Sequence, residues 1–309
     1  MASKVVGETF AKRLAFFHLP LFFFVLFALF PFYWMFVTSI KSTQETYKRE
    51  VNPYIPVTCT ATVVEQVRTR HFDGAALMDN CAYHWRVLLR DTLFVRWLEN
   101  TLLVAFVSTA ISLFAGITSA YALARLNFRG ANTLGILIFI TYLVPPTLLF
   151  IPLSDVIGNL PLLHTNLLNS PWALIVAYPT FQVPFCTWLL TGYFRTIPKE
   201  LEEAAMVDGA TRIQAMFKIV LPLALPGVLS AGMFAFTLSA NEFLYALIMI
   251  YDASNKTVPV GVVSELIKGD VFYWGELMSG ALLGSVPVAL IYSFFVEHYV
   301  AGMTGAVKG

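Results

Sequence analysis

The feature that most constrains this chain is a series of apolar stretches, each long enough to cross a lipid bilayer. A membrane-spanning helix needs about 20 mostly apolar residues. The stretches lie near residues 18–40, 98–124, 133–155, 171–193, 224–250 and 278–297. Hydrophobic residues make up 58% of the 309 residues and charged residues only 13%, whereas a soluble domain has roughly 25% charged residues. We therefore predict an all-α, polytopic membrane protein with six transmembrane helices in a single domain, residues 1–309.

Composition also excludes several kinds of site. A formal net charge of +1 offers no electrostatic basis for binding nucleic acid. The cysteines Cys59, Cys81 and Cys186 lack the CxxC spacing of a zinc site, so we expect neither a metal nor a cofactor. If Cys59 and Cys81 face an oxidising compartment they can form a disulfide, and two free thiols are the equal alternative.

The distribution of basic residues predicts how the chain is oriented. Short inner loops of membrane proteins carry an excess of Lys and Arg. The outer loop between the last two stretches holds only Lys256 and Lys268, and the long segment 41–97, which we place outside, carries eight basic residues. We expect both termini inside. The residues then placed inside are Lys4, Lys12, Arg13, Arg125, Arg129, Arg195, Lys199, Arg212, Lys218 and Lys308.

Two further patterns concern helix shape. The stretch from Tyr83 to Trp97 reads as one amphipathic helix, which suits a helix lying on the outer membrane surface better than a ligand site. Prolines at membrane depth, Pro145, Pro146, Pro179 and Pro184, kink helices and free backbone carbonyls, which must then face protein or a water-filled cavity. Such kinks suit a transport pathway, and simple helix shape is an equal explanation for any single proline.

A charged segment, 194–223, interrupts the apolar pattern and predicts two short helices. Pro198 suits the first turn of a helix, and Leu201, Ala204 and Ala205 fall on one shallow face. Gly209 is the natural break, because glycine adopts left-handed backbone angles without steric cost. Asp208 or Thr211 can cap the second helix, whose apolar stripe is Ile213, Met216, Phe217 and Val220.

The order of residues in this segment resembles a known signature. Glu203-Ala204-Ala205, then Gly209, then Ile219-x-Leu221-Pro222 is similar to the EAA signature of permeases of binding-protein-dependent ABC importers. The chain most resembles their carbohydrate branch, in particular the smaller permease of maltose-type systems. The likeness spans about residues 93–300 and the first helix, and does not extend to the outer segment 41–97.

The resemblance implies an inner-membrane, multi-pass subunit of a bacterial or archaeal importer for a sugar, polyol or related solute. Its implied partners are an ABC ATPase dimer, a second homologous permease, a periplasmic solute-binding protein and membrane lipid. The sequence has no GxxxxGK[ST] loop, so we expect ATP hydrolysis in a partner and no enzyme activity here. The residues implied to couple to the ATPase are Glu203, Ala204, Ala205, Asp208, Gly209, Ile219, Leu221 and Pro222.

Two more sites are expected with alternatives left open. Asn241, Glu242 and Phe243 place a carboxylate and an amide in an apolar stretch, where polar residues face a bundle interior or a cavity. They suit a solute pathway, or they brace neighbouring helices or the partner subunit. The resemblance implies that Val258, Pro259 and Gly261 contact the binding protein, and a plain connecting loop is the alternative.

Two other classes of membrane protein remain as rivals. A secondary transporter typically has two related halves and charged residues in mid-membrane, and we find no such repeat. A membrane enzyme would need His, Asp or Glu clustered at one membrane face. The histidines His71, His84, His164 and His298 show no such ligand spacing.

Overall fold

The computed structural model describes residues 14–48, 52–159 and 166–305, and the fold is mostly helical. A π-helical turn, Leu14–His18, precedes the first helix. The helices in chain order are α1 (Leu19–Ile40), α2 (Thr43–Tyr47), α3 (Val57–Thr69), α4 (Gly74–Cys81), α5 (Tyr83–Arg90), α6 (Phe94–Arg125), α7 (Ala131–Leu143), α8 (Pro146–Gly158), α9 (Pro171–Ala177), α10 (Pro179–Thr196), α11 (Lys199–Val207), α12 (Arg212–Ala215), α13 (Leu221–Leu223), α14 (Leu225–Ala240), α15 (Leu244–Met249), α16 (Val258–Leu266) and α17 (Trp274–Gly305). A π-helical turn, Met216–Val220, lies between α12 and α13, and two short strands, β1 (Ile267–Lys268) and β2 (Val271–Phe272), lie between α16 and α17.

The chain divides into two compact units, one of which joins residues up to 92 with residues 266–283. A disulfide between Cys59 and Cys81 links α3 to α4 in this unit, which decides between the two alternatives left open by the sequence. The strands pair antiparallel, with Ile267 opposite Phe272. The buried Lys41 amino group donates to the carbonyls of Asn52 and Pro53 at 3.0 and 2.6 Å. Burial lowers the pKa of Lys41, and the carboxylate of Glu45 opposes that shift.

The second unit, residues 93–265 with 284–309, holds the apolar core. Its centre is α6, which packs along α10 and α14. One buried cluster at one end of α6 includes Val104, Tyr178 and Tyr245. Another, at the opposite end of α6, contains Tyr121 and Phe194 together with Met216 and Val220 from the segment 194–223. That segment is therefore part of the folded core on one side.

The lengths and bends of the helices determine the number of membrane spans only in part. Among the residues that the structure describes, four unbroken helical stretches are long and apolar enough to cross a membrane: Phe16–Ile40, Phe94–Arg125, Pro171–Thr196 and Trp274–Val296. Two further pairs meet the same test but are bent, α7 with α8 by 98° and Arg212–Leu223 with α14 by 78°. The expected stretches 133–155 and 224–250 are thus not single straight helices. The first breaks at Val144–Pro145, as the prolines predict, and α14 ends at Ala240.

The predicted amphipathic helix from Tyr83 to Trp97 is also divided. The helix α5 ends at Arg90, and α6 begins at Phe94. Phe94 and Trp97 belong to the second unit, where both side chains are almost fully buried. Sequence periodicity missed this break because apolar residues occur on both sides of it.

Candidate functional site

The segment 194–223 forms two short helices separated by a glycine turn. Gly209 has a φ of +92°, a conformation that costs other residues roughly 1–2 kcal/mol. Its N–H donates to the carbonyl of Met206 at 3.1 Å and so closes the end of α11. Thr211 caps α12 through a reciprocal pair of bonds with Gln214, of 3.3 and 2.9 Å. Of the two predicted caps, Thr211 is therefore the one used, and Asp208 lies at the end of α11.

The outer side of these helices is exposed and presents both charged and apolar side chains. Glu203 and Ala204 are exposed and Ala205 is half-buried, while Val207 is 87% exposed. The predicted stripe on the second helix is divided, because Met216 and Val220 are buried whereas Ile213 and Phe217 face outward. Of the remaining signature residues, Ile219 and Leu221 are half-buried and Pro222 is exposed.

A buried polar contact on the other side of α11 was not singled out from the sequence. Glu202 accepts a hydrogen bond from the hydroxyl of Tyr121, and its Oε2 lies 3.6 Å from Nε of Arg125. Arg125 also donates to the carbonyl of Ile197 at 2.8 Å. The charge of Arg125 at the end of the apolar α6 indicated that an acidic partner was needed. Because Glu202 is far from Arg125 along the chain, the sequence did not identify it as that partner.

The break after α14 brings the three predicted pathway residues, Asn241, Glu242 and Phe243, into a short turn. Glu242 is half-buried, and its carboxylate accepts from the backbone N–H groups of α15 at Leu244, Tyr245 and Ala246, 2.8–3.1 Å away. It also accepts from the hydroxyl of Tyr178 at 3.0 Å. The carboxylate of Glu242 therefore connects the start of α15 to Tyr178 across the break.

The neighbouring Asn241 is exposed, and its amide donates to the carbonyl of Thr237 at 3.0 Å. The side chain of Phe243 is 36% exposed.

A second buried polar cluster joins the three central helices. Gln182 of α10 accepts from Ser112 of α6 at 2.8 Å and donates to Ser239 of α14 at 2.5 Å. Ser108 lies within 2.8 Å of Ser239, with the two hydroxyls hydrogen-bonded. These side chains are almost completely buried. The hydroxyls at Ser108 and Ser112, one helical turn apart on α6, were the available signal for this cluster.

The loop that follows α15 is held by Asn169, in the turn before α9, and by Trp97 of α6. Asn169 binds the backbone of Tyr251 and Asp252 at 3.2 and 2.8 Å, and Trp97 donates to the carbonyl of Ala253 at 2.7 Å. The three predicted contact residues differ in exposure. Val258 is buried, Pro259 is half-buried, and Gly261 packs so closely on the Trp97 ring that a Cβ there would lie 2.3 Å away.

A groove of about 850 Å³ lies beside α7 and α10. Its walls are mainly apolar and aromatic, including Phe139 and Trp188, and Asn132 and Arg195 add polar groups. Within residues 14–48, 52–159 and 166–305, no group of three or more His, Cys, Asp or Glu side chains is arranged to hold a metal ion. His164 falls outside these ranges, as do the basic residues Lys4, Lys12, Arg13 and Lys308 used for the orientation.

Comparison with known proteins relates this arrangement to a transport family. Residues 112–305 match the family model described as the inner membrane component of binding-protein-dependent transport systems. The chain is 40% identical to the sulfoquinovosyl glycerol transport system permease SmoH of Agrobacterium fabrum, over 69% of this chain and 73% of that protein. It is 31% identical to the trehalose/maltose transport system permease MalG of Thermococcus litoralis, over 91% of this chain and 92% of that protein.

A solved structure shares the fold. A chain of a bacterial ABC transporter involved in import of the acidic polysaccharide alginate superposes with a TM-score of 0.72 at 20% identity, covering 94% of this chain and 99% of that one. At this identity the likeness concerns the fold, and it extends over nearly the whole length of both chains.

Proposed function

Because the chain belongs to the family of inner membrane components of binding-protein-dependent transport systems, we propose that its segment 194–223 is the surface on which the importer's ATPase docks. The observation that carries the proposal is the exposed outer side of α11 and α12, bent at Gly209. Exposed apolar side chains such as Val207 and Ile213 are typical of a surface that is covered by a partner.

Family membership defines the general role. The chain is a multi-pass permease subunit of an ABC importer in the inner membrane. It works with ATPase subunits, another permease subunit and a periplasmic binding protein. ATP hydrolysis belongs to the partner ATPase, so this subunit is not itself an enzyme.

The docking surface would combine a close approach with a charged contact. Ala204 and Ala205 leave α11 shallow, so that a partner helix or cleft can come near. Glu203 is exposed beside them and can accept hydrogen bonds or pair with a cation of the ATPase. Gly209 sets the bend between the two helices. The other residues of the proposed docking segment are Asp208, Ile219, Leu221 and Pro222.

The solute we propose is a sugar, a polyol or a related compound. The relatives named above transport sulfoquinovosyl glycerol and trehalose or maltose. The aromatic groove with Trp188 and Phe139 offers ring faces for stacking on the C–H faces of such solutes. Asn241 and Phe243 at the break after α14 are also exposed, and we keep them, with Glu242 as their brace, as candidate pathway residues.

The topology we propose has six spans with both termini inside, in one membrane domain. The bent pair α7 and α8 would then count as one span, and the stretch 224–250, which begins after the docking segment, as another. The loop after α15 would face outward and reach the binding protein. Since Val258 and Gly261 are buried, the contact would fall on the exposed Tyr251 and Ser254 of the loop and on Pro259 in the first turn of α16.

Site-directed cysteines test docking and orientation together. Cys59 and Cys81 are paired and Cys186 is buried, so an added exposed thiol would be the reactive one among these. In the assembled importer, Glu203→Cys should cross-link to the ATPase through a short thiol–amine reagent, and Ser254→Cys should not. A membrane-impermeant maleimide should label Ser254→Cys in intact cells and Glu203→Cys only after lysis. Cross-linking from Ser254, or none from Glu203, would refute the proposal.

The solute class is tested through the binding protein of the same importer. Calorimetric titration with maltose, trehalose and sulfoquinovosyl glycerol, and with methionine as a non-sugar control, should give binding of a sugar and none of methionine. The opposite pattern would rule out the carbohydrate assignment while leaving the docking proposal untouched.

A further inference from the structure

Two adjacent carboxylates on α11 have opposite environments. Glu203 faces outward, whereas the side chain of Glu202 is only 7% exposed. All nine residues of α11 are described, and Glu202 is the buried one among them. A short surface helix normally rests on its parent fold through apolar side chains. Here α11 instead inserts a carboxylate and leaves its apolar residues, such as Leu201 and Val207, outside.

The partners of Glu202 come from two other helices. The hydroxyl of Tyr121, one turn before the end of α6, donates to Oε1. Arg125, the last residue of α6, places Nε 3.6 Å from Oε2, and its side chain is 3% exposed. The same guanidinium donates through Nη2 to the carbonyl of Ile197, just beyond α10, at 2.8 Å. Arg125 thus holds the end of α6, the end of α10 and the beginning of α11 together.

Separating Glu202 from Tyr121 and Arg125 would cost free energy. Taking charges out of water is costly, and a buried pair is tolerated only when both partners remain together with further hydrogen bonds. Removing one partner leaves an uncompensated buried charge. The hydrogen bond from the Tyr121 hydroxyl to the Glu202 carboxylate is charge-assisted and directional, unlike apolar contacts, which allow sliding. When α11 moves, the end of α6 must therefore follow.

We propose that Glu202 is a positioning residue that ties the ATPase-docking helix α11 to α6 and α10, so that movement of the ATPase passes into the membrane helices. The inference rests on the proposed docking function of the segment 194–223. The two neighbouring carboxylates then have different roles. Glu203 contacts the ATPase, whereas Glu202 anchors α11 to α6 and α10 of its own chain.

The test uses the complete importer in lipid nanodiscs, with its second permease, ATPase subunits and binding protein. The readout is ATP hydrolysis per assembled complex, measured with and without the binding protein mixed with maltose, trehalose and sulfoquinovosyl glycerol. This stimulation requires a signal to cross the membrane helices, so a purely structural role, which lowers the amount of complex, would not change it. Glu202→Gln should reduce the stimulation about tenfold while the ATPase still co-purifies.

Matched variants give the controls. Glu65→Gln changes an exposed carboxylate outside the docking segment and should leave stimulation and assembly unchanged. Adding Arg125→Gln to Glu202→Gln should reduce stimulation no further, because the two residues act as one unit. Normal stimulation in assembled Glu202→Gln, or an independent, additive effect of Arg125→Gln, would overturn the proposal.

If the Glu202→Gln complex does not assemble, a milder variant tests the proposal instead. Tyr121→Phe keeps the ion pair and removes one hydrogen bond to Glu202. It should assemble and reduce stimulation about threefold, and unchanged stimulation would then overturn the inference. Failure of the docking proposal is recognised separately, because it would appear as absent cross-linking from Glu203→Cys.

Discussion

Two polar interruptions of this chain, the turn around Gly209 and the break at Asn241–Phe243, look alike in sequence but differ in what their glutamates contact. At the first, Glu203 is exposed and remains available to a partner. At the second, Glu242 accepts three backbone N–H groups and the hydroxyl of Tyr178. Of these two glutamates, the one that its own chain leaves unoccupied is therefore the candidate for contact with a partner.

The difference also separates what each interruption can do. The turn at Gly209 presents an uncovered surface, with Val207 and Ile213 projecting outward, and suits a docking role. The break after α14 is closed by a carboxylate that satisfies the first N–H groups of α15, which a helix start requires. Substitutions at the turn around Gly209 should thus impair assembly with the ATPase, whereas substitutions at the break after α14 should lower the stability of the subunit.

The largest effect should come from Gly209→Pro. Proline fixes φ near −65° and has no N–H, whereas Gly209 has φ +92° and donates to Met206. The cost is about 3 kcal/mol or more, so co-purification of the ATPase should fall about a hundredfold. Gly130→Pro is the control, because Gly130 has the same backbone conformation, with φ +90°, outside the docking segment. Equal loss in both variants would show that the effect is not specific to the turn.

Glu242→Gln should come next, with an effect on stability rather than docking. The neutral amide keeps its size but weakens the charge-assisted bonds to the start of α15 and can no longer accept them all. We expect a loss of about 1–3 kcal/mol in resistance to unfolding, measured as thermal denaturation of the detergent-solubilised subunit. Tyr178→Phe removes one of the four bonds and should cost less. An unchanged melting temperature together with altered transport would make Glu242 a pathway residue instead.

What the sequence could predict here depended on the range of the interactions involved. The helices around Gly209 were predictable, because a proline directly before α11, a left-handed glycine and the Thr211 cap act within a few residues. The burial of Glu202 and its partners were not predictable, since they depend on Tyr121 and Arg125 of a helix distant in sequence. The same holds for the buried Gln182 cluster, which needs three helices to be placed. The break at Val144–Pro145 was expected from its prolines, but its 98° bend was not.

Glu203→Gln should have a smaller effect than either change above, and it should be confined to docking. An exposed charged contact contributes about 1 kcal/mol or less on its own, so affinity for the ATPase should fall roughly fivefold, with thermal stability unchanged. Affinity is measured by titrating the ATPase onto the nanodisc-embedded permeases. Glu200→Gln, one helical turn away and also exposed, should have little effect on affinity, and an equal loss there would show that Glu203 acts only as a general surface charge.

Asn241→Ala should have the smallest effect on folding and therefore gives the sharpest test of the second interruption as a pathway. The Asn241 side chain is exposed and makes one bond, to the Thr237 carbonyl at 3.0 Å, so stability should change by about 0.5 kcal/mol or less. If the amide contacts the solute, the KM for uptake of the sugar selected by the binding protein should rise several-fold while assembly stays intact. An unchanged KM would leave the break after α14 with a bracing role alone and would place the solute path elsewhere, with the aromatic groove beside α7 and α10 as the next region to test.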